Sequence, residues 1–219
     1  MFLHTHPYPP FIFDTTTKLI VGTLPPPRFT MGNLKPKDVN FCYGSCDGLL
    51  WPILNTIFNL HLKYETTEEA IAQRKQFLIK RGIGICDIVA LAKRKKIDAS
   101  DIGMQDVELR DLIKILKKFP KIDTLLFTGG NSKNGPEYFF RKLLKNYNCK
   151  LEVVLNEVPR IHEFIVPNNS RKIKTISLIA PSGAANRAVG SLQEYKDMKV
   201  KNPLLTTIDF RIKQYRPFF

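Results

Sequence analysis

Asp87 is the one acidic residue in the run 84–89 (GICDIV), and a carboxylate in such surroundings has two chemical faces. Ionised, it only accepts hydrogen bonds; buried with no cation beside it, it tends to hold a proton and can donate. Asp47, in residues 41–52 (FCYGSCDGLLWP), is a second carboxylate, placed just before a glycine. It could polarise a water molecule or stabilise a cationic centre, and Asp-Gly is equally a turn-forming pair. Other reactive types are sparse. Cys42 and Cys46 are four apart, but Cys86 and Cys149 stand alone, so no second close pair completes a zinc or iron–sulfur set and no metal is expected. His4 and His6 form a lone His-x-His pair. His162 lies between apolar neighbours, the usual setting of a satisfied core or surface histidine.

Short apolar runs alternate with segments of helical period, the signature of an α/β fold. Residues 18–22 (KLIVG), 84–89 and 123–128 (DTLLFT) read as buried strands, with later strands expected at 151–155 and 175–180. Helix faces recur at Leu49, Leu50, Ile53, Leu54, Ile57 and Phe58, and a charged helix is expected over 68–80. A third runs from Val107 through Leu112, Ile115, Leu116 and Phe119 to a stop at Pro120, and a fourth carries Tyr138, Phe139, Leu143, Leu144 and Tyr147. With no repeat and no long linker, one domain over residues 1–219 is expected. Open sheets of this class bind ligands outside the carboxyl ends of their strands. Those ends are GTLPPP, CDIV, TGGN and APSG.

Thirty-four Lys and Arg against 20 Asp and Glu give a formal net charge of +14, which suits a polyanionic partner, nucleic acid or an anionic membrane surface. A solvated lysine surface would give the same count. No stretch approaches the ~20 apolar residues of a membrane span, and the first residues, MFLHTHPYPP, lack the pattern of a signal peptide. A cytoplasmic, intracellular setting with reduced cysteines is therefore expected. The basic clusters Lys93-Arg94-Lys95-Lys96 and Arg171-Lys172 could track phosphates, each neutralised phosphate steepening the salt dependence by ~0.9 in log–log slope. A solvated loop explains either cluster as well.

Three segments carry a family resemblance. Val21-Gly22-Thr23-Leu24-Pro25 is followed about twenty residues later by Phe41 to Pro52. Residues 82–102 (GIGICDIVALAKRKKIDASDI) come next, and then Ala180-Pro181-Ser182-Gly183-Ala184-Ala185-Asn186-Arg187. In order and spacing they resemble the uracil-DNA glycosylase superfamily, closest to its mismatch-specific uracil/thymine and hypoxanthine-DNA glycosylase branches. The resemblance implies a three-layer α/β/α sandwich with a central, mainly parallel sheet of about four strands. It implies a DNA glycosylase of base excision repair, acting by hydrolysis on an extruded base of uracil or hypoxanthine type, as a monomer and without a cofactor. Thr23, Leu24, Tyr43 and Asp87 would surround the base, with Tyr43 stacking on it and Asp87 meeting its edge. Pro25, with Pro26 and Pro27, would form a rigid turn at the DNA. Ser182, Gly183 and Ala184 would hold flanking phosphates, and Asn186 or Arg187 would fill the gap left in the stack. An ordinary polar turn before a helix accounts for Ser182 too.

Departures from the family pattern fall at the chemistry. Leu24 stands where the mismatch-specific branch has a water-orienting Asn, Gly48 where the hypoxanthine branch has its Asn, and Ala180 where the uracil enzymes have a His. Asp47, beside Gly48, is then the nearest carboxylate for catalysis. Asp87 replaces an Asn at the base edge, which favours a base offering donors unless Asp87 is protonated. A non-catalytic DNA-binding protein that keeps the fold is the alternative. A different basic α/β enzyme, a nuclease or an RNA-modifying enzyme, lacks the metal-binding carboxylate cluster it would need.

Overall fold

Strands covered on both faces need no polar alternation, so they read as short continuous apolar runs. In the computed structural model, which describes residues 1–219, β1 (Phe2–Thr5) precedes β2 (Lys18–Val21), whose Leu19, Ile20 and Val21 are wholly buried. A single turn, α1 (Pro27–Thr30), leads to α2 (Leu50–Phe58) and α3 (Glu68–Arg81). The limits of α3 are written in its residues. Thr67 accepts from the Ala70 N–H at 3.3 Å, Glu68 and Glu69 face the positive end of the helix dipole, and Gly82 closes the helix at φ 64°. Then follow β3 (Ile83–Ile85), β4 (Val89–Arg94), β5 (Met104–Leu109), α4 (Leu112–Lys118), β6 (Thr124–Phe127) and α5 (Pro136–Lys145). The chain continues through β7 (Glu152–Leu155), β8 (Arg160–Ile165), β9 (Lys172–Ser177), α6 (Asn186–Ser191), α7 (Gln193–Lys201) and α8 (Thr207–Tyr215). No helix is long and apolar enough to cross a membrane.

The main sheet runs in the order β3-β2-β6-β9-β8-β7. Its first four strands are parallel; β8 and β7 extend it antiparallel. The sheet therefore has six strands rather than about four, because the hairpin β7–β8 adds to the parallel run. Alternate side chains serve two cores. Leu19, Val21, Leu125, Phe127 and Ile173 join α4 and α5 on one face. Ile20, Leu126 and Ile176 join α2 and α3 on the other.

A second sheet, β1-β4-β5, is antiparallel and packs Val89, Ala92 and Met104 into the first core. It corrects two expectations. Val89 begins a new strand instead of ending the preceding one, and Val107 lies in β5 rather than in a helix. A helix starts only at Leu112, where Asp111 accepts from the Ile113 and Lys114 N–H groups. The basic clusters are also partly structural. Arg94 is 1% exposed and donates to His4 Nδ1 at 2.7 Å, and Arg171 donates to the carbonyls of Leu116 and Pro120 at the end of α4.

Candidate functional site

The carboxyl ends of β2 and β3 and the start of the turn after β6 are tied by one buried carboxylate. Asp87, 5% exposed, accepts from the Gly22 N–H and the Tyr43 hydroxyl at Oδ1, both at 2.8 Å. Its Oδ2 meets His6 Nε2 at 2.9 Å. The Tyr8 N–H donates to His6 Nδ1, which leaves the proton on Nε2, facing Asp87. Thr128 Oγ1 lies 3.1 Å from the same tyrosine hydroxyl. Burial, and then the charge of Asp87, push the Tyr43 hydroxyl well above its usual range, so it remains a donor. Tyr43 sits at φ 57°, a left-handed conformation that a bulky side chain adopts only when its surroundings demand it. Gly22 is required beside it: a Cβ there would lie 2.2 Å from the Tyr43 hydroxyl.

Next to this knot a cleft of ≈ 560 Å³ opens over the ends of β2, β6 and β9. Thr23, Thr128 to Ser132 and Ser177 to Ala180 contribute to its walls. Asp101 enters from the turn between β4 and β5, and Arg160 from the start of β8. Thr23 Oγ1 donates to Asp101 Oδ1 at 2.8 Å. Asn134 Nδ2 donates to the Asp101 carbonyl at 2.9 Å, and Arg94 Nη1 to that of Ser100 at 2.6 Å, so the turn is pinned from both sides. Burial pushes the Asp101 carboxyl up to about 6, against the opposing pull of Thr23 and Arg94. Arg160 is anchored on Glu137, a wholly buried carboxylate that accepts from Arg160 Nη2 at 2.9 Å, Ser177 Oγ at 2.7 Å and Arg141 Nε at 2.8 Å. Burial alone would raise the Glu137 carboxyl; these three donors outweigh it and hold the group below the usual carboxylate range.

A third element borders the cleft. Gly48 and Ser182 form an isolated antiparallel bridge, and the Leu49 N–H donates to the Pro181 carbonyl at 2.8 Å. The loop that carries Ser182 is shaped by Arg211 of α8, which is wholly buried. Its guanidinium donates to the carbonyls of Ala180, Ser182 and Thr207 and to Asn186 Oδ1.

Against this geometry the similarity to known proteins can be weighed. No protein-family model and no curated protein matches the chain. Among solved structures, the chain is similar to the solution NMR structure of a "putative uracil DNA glycosylase" from Methanosarcina acetivorans. The TM-score is 0.54 at 16% identity, over 96% of this chain and 99% of the other. The two chains share a fold. That likeness covers nearly the whole length of both.

The structure brings some of the expected residues together and leaves others apart. Thr23 lines the cleft, and Tyr43 and Asp87 meet in the knot behind it. Ser182, Gly183 and Ala184 lie on the loop at its border and Arg187 in the first turn of α6, with Gly183, Ala184 and Arg187 exposed. Pro25 is half-buried on the turn after β2. Leu24 packs against the first core instead of facing the cleft. Asp47 stands apart: its carboxylate is 61% exposed and pairs with Lys35 at 2.9 Å and Arg28 at 3.2 Å. Asn186 Oδ1 accepts from Arg211 and from the Thr207 hydroxyl, so its side chain is held from within the protein. Asp87, with three donors on its two oxygens, is engaged by its own protein. Asp101, Thr128, Glu137 and Arg160 were not found by sequence reasoning. Asp101 lies in a charged stretch that reads as a solvated loop, and Glu137 at a helix start where an acid is ordinary.

Proposed function

We propose that this protein is a monofunctional DNA glycosylase that hydrolyses the N-glycosidic bond of an extruded deaminated or damaged base, of uracil or hypoxanthine type. One observation carries the reading. Three chain segments far apart in sequence, at Thr23, at Thr128 to Ser132 and at Ser177 to Ala180, meet around one cleft at the carboxyl ends of parallel strands. Pockets for small ligands run from ~300 to ~1,000 Å³, and ≈ 560 Å³ falls inside that range. A base in a duplex hides its glycosidic bond, so the enzyme must draw it out at a cost of a few kcal/mol. The excess of basic residues holds the phosphates while that happens. In this reading the protein acts as a single-domain monomer inside the cell, with Arg187 beside the gap in the stack and no cofactor.

The test is an abasic-site assay on oligonucleotides carrying uracil, hypoxanthine, xanthine or mismatched thymine. Release of at least one of these bases is expected; release of none overturns the reading. The packing of Leu24 into the core and the ion pairing of Asp47 favour a second reading, a DNA-binding protein without base-release chemistry. Tight, salt-sensitive DNA binding with no base release would select it.

A further inference from the structure

The cleft holds one acid and one base. Of its 17 lining residues only Asp101 is acidic and only Arg160 is basic. Arg160 lies outside the three segments that carry the family resemblance, and Asp101 stands near the end of the second, where it was not read as a site residue. Asp101 is carried to the cleft by the turn between β4 and β5, and there it takes the hydrogen bond of Thr23, the neighbour of Leu24. Its Oδ2 accepts from no protein donor. Arg160 uses Nη2 on Glu137, and its Nε and Nη1 donate to no protein acceptor. The guanidinium lies against Gly130, where a Cβ would come within 2.7 Å of Nη2. That places it beside the turn after β6, in the same cleft that Asp101 lines.

We propose that Asp101 is the carboxylate that activates the attacking water and that Arg160 is the cation that receives the charge of the departing base. The inference rests on the glycosylase reading above. In the step, the water oxygen bonds to the anomeric carbon while the bond from that carbon to the base nitrogen breaks. The electron pair of that bond leaves on the base. The water proton passes to Asp101, and the base anion, neutralised against Arg160, takes a proton from solvent. A carboxylate near the sugar also stabilises its transient positive charge, a contribution that a neutral side chain cannot make. The charged groups facing Asp101 are Arg94 from β4 and Asp87 from the end of β3, and Thr23 from the turn after β2 is its hydrogen-bond donor.

Single-turnover excision is measured on whichever lesion of the panel the wild-type protein releases fastest, alongside the affinity for the same DNA. Asp101→Asn is expected to slow release about 100-fold or more with affinity within about threefold. Arg160→Gln is expected to slow it by a similar factor. The wild-type rate should rise as pH passes about 6, and Asp101→Asn should lack that limb. Thr23→Val, which removes a hydrogen bond to the charged form, should move the limb to higher pH and so tests the assignment even if Asp101→Asn fails to fold. Release by Asp101→Asn within about fivefold of wild type, or a limb unmoved in Thr23→Val, overturns the assignment and leaves the glycosylase reading standing. No release of any base by the wild-type protein overturns both.

Discussion

Glu137→Gln keeps the volume of a wholly buried side chain and deletes its charge. The wild-type carboxylate satisfies three donors on two oxygens: Arg141 at Oε1, and Arg160 and Ser177 at Oε2. An amide has one oxygen. Set toward Oε2 it keeps Arg160 and Ser177 and turns an N–H against Arg141; flipped, it opposes Arg160. Breaking a buried pair from one side costs about 3–5 kcal/mol. Both arginines are about a third exposed, at 32% and 30%, so solvent recovers part of the loss. A cost of about 2–3 kcal/mol is therefore expected at pH 7. At roughly 2–4 °C per kcal/mol for a chain of this size, melting falls by about 4–12 °C.

The sign of the pH dependence follows from the same contacts. A carboxyl held below its usual value contributes stability that is present above the unfolded pKa, near 4.3, and is lost as pH falls through the folded value. The gap between wild type and Glu137→Gln should be full at pH 7 and close on acidification below about 4. Urea denaturation at pH 7, 5 and 3.5 measures it. Equal midpoints at pH 7, or a gap that stays constant down to pH 3.5, would refute the reasoning.

Three further outcomes are expected. Gly22→Ala forces a Cβ to 2.2 Å from the Tyr43 hydroxyl and 2.8 Å from Asp87 Oδ1, and should cost about 1–3 kcal/mol in urea denaturation; an unchanged midpoint would mean the knot yields freely. Tyr43→Phe removes one of three donors to Asp87 and should cost about 1–2 kcal/mol by the same measurement. Arg187→Ala should lower the log–log salt slope of DNA binding by about 1 while melting is unchanged, and an identical slope would place Arg187 away from the phosphates.

The parallel strands were legible because burial on both faces leaves a local mark: KLIV and TLLF are apolar without alternation. The second sheet left no such mark. In β5, MQDVEL puts only Met104 in the core, and Val107 falls close enough to Leu112 and Ile115 to mimic a helix face. The hairpin strand β7 is exposed at all four residues, so its apolar run owes nothing to a core. For the site, the segments at Gly22, Asp87 and Ser182 were visible as turns at strand ends, and Tyr43 as part of the loop before a helix. Their partners were not, because His6 meets Asp87 across 81 residues and Thr23 meets Asp101 across 78. No periodicity reports contacts of that range. The aliphatic side chain of Leu24 offers no acid–base group, and its packing against the first core required the tertiary structure.

The loop at the cleft border has consequences for how any nucleic acid is met. Arg211 fixes Ala180, Ser182 and Asn186 from within the protein, through a buried guanidinium that water does not reach. The disorder such a loop would otherwise lose on contact has already been lost when the chain folds. On the glycosylase reading proposed above, the protein would meet DNA as a rigid template, so that bending and unstacking would fall to the duplex and weakly stacked positions would be engaged first.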